Sequence, residues 1–201
     1  MMIEAKKYIR LGKVATVAAG FPLRSSVDSL DEGDISFVQM RNVNPAQGID
    51  WESVAQVTLP TKREPDWLNE NNIIFAARGA KNYAVTVNAH PKRAVCSPHF
   101  FVLRISDRKK ILPDFLAWQI NQKPAQDYFQ RSATGLNINR SVIENLEIFI
   151  PPLYKQEMII ALWKTAMEEQ QILKRLTENR NQLLEAIAVG LFNRTGGKNH
   201  E

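Results

Sequence analysis

Glu147-Ile148-Phe149-Ile150-Pro151-Pro152-Leu153-Tyr154-Lys155-Gln156-Glu157-Met158-Ile159 changes character in its middle. Leu146 to Ile150 reads as a strand, and Pro151-Pro152 stops it, because proline neither donates to a sheet ladder nor continues the strand. From about Leu153 to Phe192 there is no proline, and the first glycine is Gly190. The stretch is rich in Leu, Ile, Ala, Glu, Lys, Gln and Arg, all but Ile strong helix formers. With Ile159 as the first a position of a heptad, an apolar seam takes in Ile159, Leu162, Ala166, Leu173, Leu176, Leu183 and Ile187, broken by Glu169 and Arg180. No turn signal falls between Gln156 and Ala188, so one helix is expected rather than a hairpin folded back on its own domain. A helix of about 40 residues is ~60 Å long, longer than a small domain is wide. It must protrude and find something to pack on.

Upstream of this junction the pattern is β-rich. Val14 to Val17, Ile35 to Met40, Val54 to Leu59, Ile73 to Ala77, Ala84 to Val87 and Phe100 to Ile105 read as short strands. Asp31-Glu32-Gly33-Asp34, Asn44-Pro45, Arg78-Gly79 and His90-Pro91 read as the turns between them. Helical patterning begins at Pro113-Asp114, and a second short helix covers Ala125 to Arg131. Ser141-Val142-Ile143-Glu144 fits a capping box. The expected fold class is α+β, with a β-rich domain with short helices over 1–152, a long helix over 153–193 and a disordered tail over 194–201. There is no internal repeat and no low-complexity segment.

Among 201 residues, 44% are hydrophobic, enough for a core of ordinary size. The formal charge is +5, but residues 62–110 hold ten basic residues against four acidic ones, a local excess of six. Such a patch concentrates phosphate, and phosphate neutralisation supplies non-specific nucleic-acid affinity. A solvated, lysine-bearing loop face gives the same count. Cys96 is the only cysteine, which excludes an intramolecular disulfide and argues against thiolate metal sites and for a reducing compartment. Lys6, Lys7 and Arg10 precede a mildly apolar stretch, but Lys13 interrupts it, so it does not read as a signal peptide. No apolar run approaches the ~20 residues that span a bilayer. The reading is a soluble, cytoplasmic protein.

A catalytic constellation does not assemble. His90, His99 and His200 are the only histidines, none at metal-ligand spacing with another His, Cys or carboxylate. Ala76 to Asn82 lacks the glycine spacing of a phosphate loop. His99 beside Phe100 reads as a strand residue. Folding alone can bring distant acids together, so an enzyme with a carboxylate pair stays open as an alternative. A different kind of site is suggested where the strand at Ile73 to Ala77 delivers Arg78 and Gly79 to a loop continued by Lys81 and Asn82. Arginine bonds guanine O6 and N7 bidentately, asparagine and glutamine do the same to adenine, and glycine lets backbone approach a duplex. Gln39, Arg41, Asn42, Arg78, Lys81, Asn82, Asn137 and Arg140 are the candidate groove readers. Lys62, Arg63, Lys92 and Arg93 are the candidate phosphate contacts. An ordinary polar hairpin, with Asn137 and Asn139 as turn residues, is the competing reading.

The junction quoted above resembles the strand, Pro-Pro-Leu, two residues, Gln, long-helix pattern of Type I restriction-modification specificity subunits. Leu11 to Gly20, Ile35 to Asn42, Leu68 to Gly79, Ile111 to Leu116 and Gly135 to Leu146 resemble further segments of that family in the same order. Asn71-Asn72 stand where the family usually has Gly-Asp, and Ser36-Phe37 replace its usual residues. The resemblance implies a target-recognition domain that reads a short half-site of double-stranded DNA, followed by a spacer helix. The family usually fuses two such units with antiparallel helices; this sequence has one of each. It therefore implies a homodimer, pairing with another half-subunit, or a remnant. Methyltransferase (modification) subunits using S-adenosylmethionine and a restriction/motor subunit are the implied partners, and this chain is expected to bind no cofactor. A coiled-coil interaction module with a β-rich protein-binding domain is the rival.

Overall fold

A computed structural model of the chain describes residues 8–23, 33–59, 64–79, 81–88, 93–133, 135 and 137–195, the last three by backbone alone. The strands are β1 Tyr8–Arg10, β2 Ala15–Ala19, β3 Ile35–Val38, β4 Val43–Asn44, β5 Gly48–Ile49, β6 Ala55–Val57, β7 Ile73–Ala76, β8 Ala84–Thr86, β9 Ala94–Cys96 and β10 Phe100–Ile105. Helices α1 Pro113–Ile120, α2 Lys123–Ser132 and α3 Arg140–Asn145 follow, then β11 Glu147–Phe149 and α4 Leu153–Thr195. The α+β class and the single long helix expected from the sequence are both present. Asp31-Glu32, His90-Pro91 and the tail from 196 lie outside the described residues, and 194–195 belong to α4 rather than to a tail.

An antiparallel sheet of order β2-β10-β7-β8 lies beside a smaller one of order β6-β3-β9, in which β3 and β9 run parallel. Every residue of β3, β7, β8 and β9 is buried, the mark of strands covered on both faces. Val38, Ile74, Ala76, Val87, Cys96 and Phe100 form part of one core, and Ile35, Phe37, Val57 and Val95 part of a second. Burial pushes the Cys96 thiol up to about 12, so it is inert. Gly20 passes so close to the Ser97 carbonyl that a Cβ there would lie 2.1 Å from its oxygen. Asn71 holds the left-handed conformation at φ 66°, and asparagine tolerates it better than most residues. That explains how it stands where the related pattern has glycine.

Side-chain amides join the elements by acting as substitute peptide groups. Asn121 bonds both backbone groups of Ala84 at 2.8 Å, covering the free edge of β8. Gln119 does the same to Phe149 on β11, at 2.7 and 2.9 Å. Gln156, fully buried in the first turns of α4, accepts from Leu112 N–H at 2.9 Å and donates to the carbonyls of Lys110 and Pro151 at 2.8 Å. Gln156 and Ile160 are buried, and the first compact unit accordingly runs through Ile160 rather than ending at residue 152. The expected capping box at Ser141 is replaced by Asn139, whose extended backbone lets its side chain accept from Val142 N–H at 2.9 Å. Ser141 already lies inside the helix.

Replacing Gln156 by Ala removes an acceptor and two donors from a site closed to water, where each orphaned group costs roughly 1–3 kcal/mol. Urea unfolding should place that variant about 3 kcal/mol or more below the parent. A Gln156→Glu variant, which keeps the acceptor but buries a charge, should fare no better. An unchanged midpoint for both would rule out the clamp.

Candidate nucleic-acid interface

The C-terminal ends of β3, β7 and β9 and the N-terminal end of β10 converge. Ser97 N–H bonds the Val38 carbonyl at 2.8 Å, and Ala77 N–H bonds the His99 carbonyl at 2.9 Å. The chain beyond α2 returns to the same place: Ile138 N–H bonds the Ala77 carbonyl at 2.8 Å, and Arg78 bridges Asn137. Gly79, at φ 110°, turns the backbone here, in a conformation that favours glycine. Met40 packs on this turn, its Cε 3.9 Å from where a Gly79 Cβ would stand, and its sulfur lies 4.0 Å from the Tyr83 hydroxyl. One end of the domain thus gathers Gln39, Arg41, Arg78, Lys81, Asn82, Asn137 and Arg140.

Arg41, Arg78, Lys81, Asn137 and Arg140 are exposed there. Arg140 pairs with Glu144 at 2.7 Å, four residues on, an exposed pair that leaves its outer N–H groups to other acceptors. Asn82 donates to the Ala76 carbonyl at 3.0 Å, so part of its amide is engaged in holding the turn. Gln39 Oε1 and Ser97 Oγ are buried without hydrogen-bond partners among the described residues, adjoining ends of the β3–β9 ladder. Exposed His99 belongs to this end as well, in the turn before β10 rather than in the strand. Pro98 just before it was the available signal.

One sequence expectation fails here. Asn42 is buried, accepting from Gln39 N–H at 2.9 Å and donating to the Ser53 carbonyl and hydroxyl at 2.9 and 3.1 Å. Its amide is committed to the fold and cannot reach a groove. Arg93 sits at the opposite end of the parallel β3–β9 ladder, ~13 Å from Gln39 by strand rise. It pairs with Asp34 and lies 5.2 Å over the Trp67 ring. Arg104, in the same basic stretch, is bound bidentately by Asp66 at 2.8 and 2.9 Å, and Lys110 pairs with Asp107. The linear excess of positive charge over 62–110 is therefore not one patch. Lys62, Arg63 and Lys92 lie outside the described residues.

On α4, Ile159 is half-buried while Leu162, Leu173, Leu176, Leu183 and Ile187 are each more than half exposed. Ile172 and Leu184, beside the seam, are exposed too. Among the described residues no helix is long and apolar enough to cross a membrane, and no group of three or more His, Cys, Asp or Glu is placed to hold a metal ion.

Comparison with known proteins bears on this arrangement. The HsdS subunit of Thermoanaerobacter tengcongensis shares the fold at a TM-score of 0.59 and 17% identity, covering 87% of this chain and 40% of that one. The Type-I restriction-modification S subunit from M. genitalium does so at 0.58 and 17%, covering 96% and 48%. A chain from a structure described as showing complex assembly and conformational transition of the type I R-M system gives 0.67 and 14%, covering 93% and 44%. The chain thus spans less than half the length of each of these structures. No curated protein matches it. The family model described as the type I restriction modification DNA specificity domain matches residues 3–186, nearly the whole of the two units, so the chain belongs to that family.

Proposed function

We propose that this chain is a DNA-specificity component that reads one half of a bipartite duplex site and performs no chemistry itself. The observation that carries the reading is the gathering of Arg78, Lys81, His99, Asn137 and Arg140 on one exposed end of a domain of this family. Arg78 and Asn137, held together by their bridge, have the donor and acceptor sets that read base edges; Lys81 and Arg140 suit phosphates. The exposed seam of α4 fits antiparallel pairing with a second copy or with another half-subunit. At 43 residues the helix is ~65 Å long, so pairing makes it a ruler between two half-sites. Methyltransferase subunits and a restriction/motor subunit would dock on the paired assembly in the cytoplasm, the former supplying S-adenosylmethionine chemistry and base extrusion.

Duplex binding by the full chain should weaken steeply as salt rises. Lys81→Ala should reduce the slope of log affinity on log salt by about 1, and Arg78→Ala should cost roughly 1–3 kcal/mol on a selected site and relax selection at one position. Arg93→Ala should change neither, while Asn42→Ala should lower folding stability by roughly 2 kcal/mol. Absence of salt-dependent binding at low ionic strength would sink the reading and leave the coiled-coil interaction module.

Deleting Lys174 to Arg180 removes one heptad and keeps the seam in register, with Leu183 following Leu173. The helix shortens by ~10 Å, and sites selected from a random duplex pool should lose about 3 base pairs from their spacer. An unchanged spacer would refute the ruler.

A further inference from the structure

Arg78 and Asn137 face each other across an antiparallel bridge, and Ile138 N–H bonds the Ala77 carbonyl at 2.8 Å. That bond, one residue along on each side, makes Arg78 and Asn137 a non-hydrogen-bonded pair. Side chains stand closest in such pairs, their Cβ atoms about 4.5–5.5 Å apart. Ala77 and Ile138 are each only 3% exposed, so the alternation of an extended chain turns Arg78 and Asn137 outward together. On its other side Ala77 N–H bonds the His99 carbonyl at 2.9 Å. The pair thus stands on backbone fixed through to the start of β10.

The polar side chains beside this pair have work to do in the fold. The Asn82 amide donates to the Ala76 carbonyl, the Asn139 amide accepts from Val142 N–H, and Arg140 pairs with Glu144. Among the described residues nothing bonds the Arg78 guanidinium or the Asn137 amide. Gly79 follows Arg78, and Gly135 stands two residues before Asn137, at φ 110° and 64°. Both turn the chain with no side chain raised beside the pair, so the backbone can come close to a ligand. A side chain as short as asparagine needs that approach to reach a base edge.

A guanidinium reads guanine O6 and N7, and a carboxamide reads adenine N6 and N7, each bidentately in the major groove. Base pairs stack ~3.4 Å apart, so side chains rooted about 5 Å apart address one base pair or two consecutive ones. One base pair cannot serve both, since guanine stands opposite cytosine and adenine opposite thymine. We infer that Arg78 and Asn137 read consecutive base pairs, Arg78 a G·C pair and Asn137 the A·T pair beside it. This rests on the duplex reading proposed above, and adds which bases are chosen and at what spacing.

The test selects sites from a random duplex pool with the full chain, with Arg78→Ala and with Asn137→Ala, both exposed substitutions that keep the backbone bonds. Arg78→Ala should lose selection at a G·C pair and Asn137→Ala at the A·T pair immediately next to it, with every other position kept. Replacing that A·T pair by G·C in the selected duplex should weaken the parent about tenfold or more and leave Asn137→Ala nearly unaffected. Relaxed positions that are not consecutive, or that hold other bases, overturn the paired reading and leave duplex recognition standing. So does a uniform loss of affinity across all sequences, which would assign the two side chains to phosphates. Unaltered selection by Asn137→Ala overturns it as well. Absence of salt-dependent duplex binding by the parent overturns both readings.

Discussion

The Gln156 amide joins two stretches of backbone that the sequence keeps apart: Lys110 to Leu112, just before α1, and the proline stop at Pro151. Buried peptide groups must find partners, and the ends of helices leave several without one. A glutamine amide presents one acceptor and two donors, so it substitutes for the peptide neighbour that proline denies. Gln119 and Asn121, at the end of α1, repeat the device on β11 and β8. The helix is thereby fixed to two different sheets through amides rather than through apolar contact alone. The strand ends that carry the candidate reading loops inherit that fixation.

This device also marks where sequence reading stops. The Pro-Pro stop and the helix after it were legible because they follow from local rules: a missing N–H, a fixed φ and an unbroken run of helix formers. The role of Gln156 was not, since its partners lie up to 46 residues away. The same chemistry made Asn42 resemble a base reader. An amide that can bond adenine bidentately can bond a peptide group equally well, and burial decides between them. Charge was misread for a related reason. Arg78 and Arg93 are near neighbours in a basic stretch, but β9 runs parallel to β3, which carries Arg93 to the end away from Gln39 and beside Asp34. His99 reads as a strand residue from its neighbour Phe100, although Pro98 just before it signals that the strand begins one residue later.

For α4 the balance of forces is different. Its internal support is slight: the Lys174–Glu178 pair at 3.8 Å is exposed and contributes a few tenths of a kcal/mol. Burying one leucine fully contributes about 1.5–3 kcal/mol, so a handful of seam residues covered together outweighs every exposed ion pair on the helix. Under the proposed pairing, helix order and association are coupled, and apparent stability rises with chain concentration. Glu169 and Arg180 weaken the seam where they interrupt it, and such polar residues can fix one register against its alternatives.

The two uses of polar side chains in this fold explain how recognition can change without the fold changing. Asn42, Gln119, Asn121 and Gln156 have their amides occupied by backbone, and substituting any of them orphans buried groups. Arg78, Lys81 and Asn137 stand exposed on turns whose backbone bonds, such as Ile138 N–H to the Ala77 carbonyl, do not depend on side-chain identity. Replacing these exposed groups alters what the surface offers to a groove at small cost in stability, since surface substitutions usually fall within about 0.5 kcal/mol. Under the proposed reading, a scaffold organised this way separates the residues that would select a sequence from those that hold the reader in place.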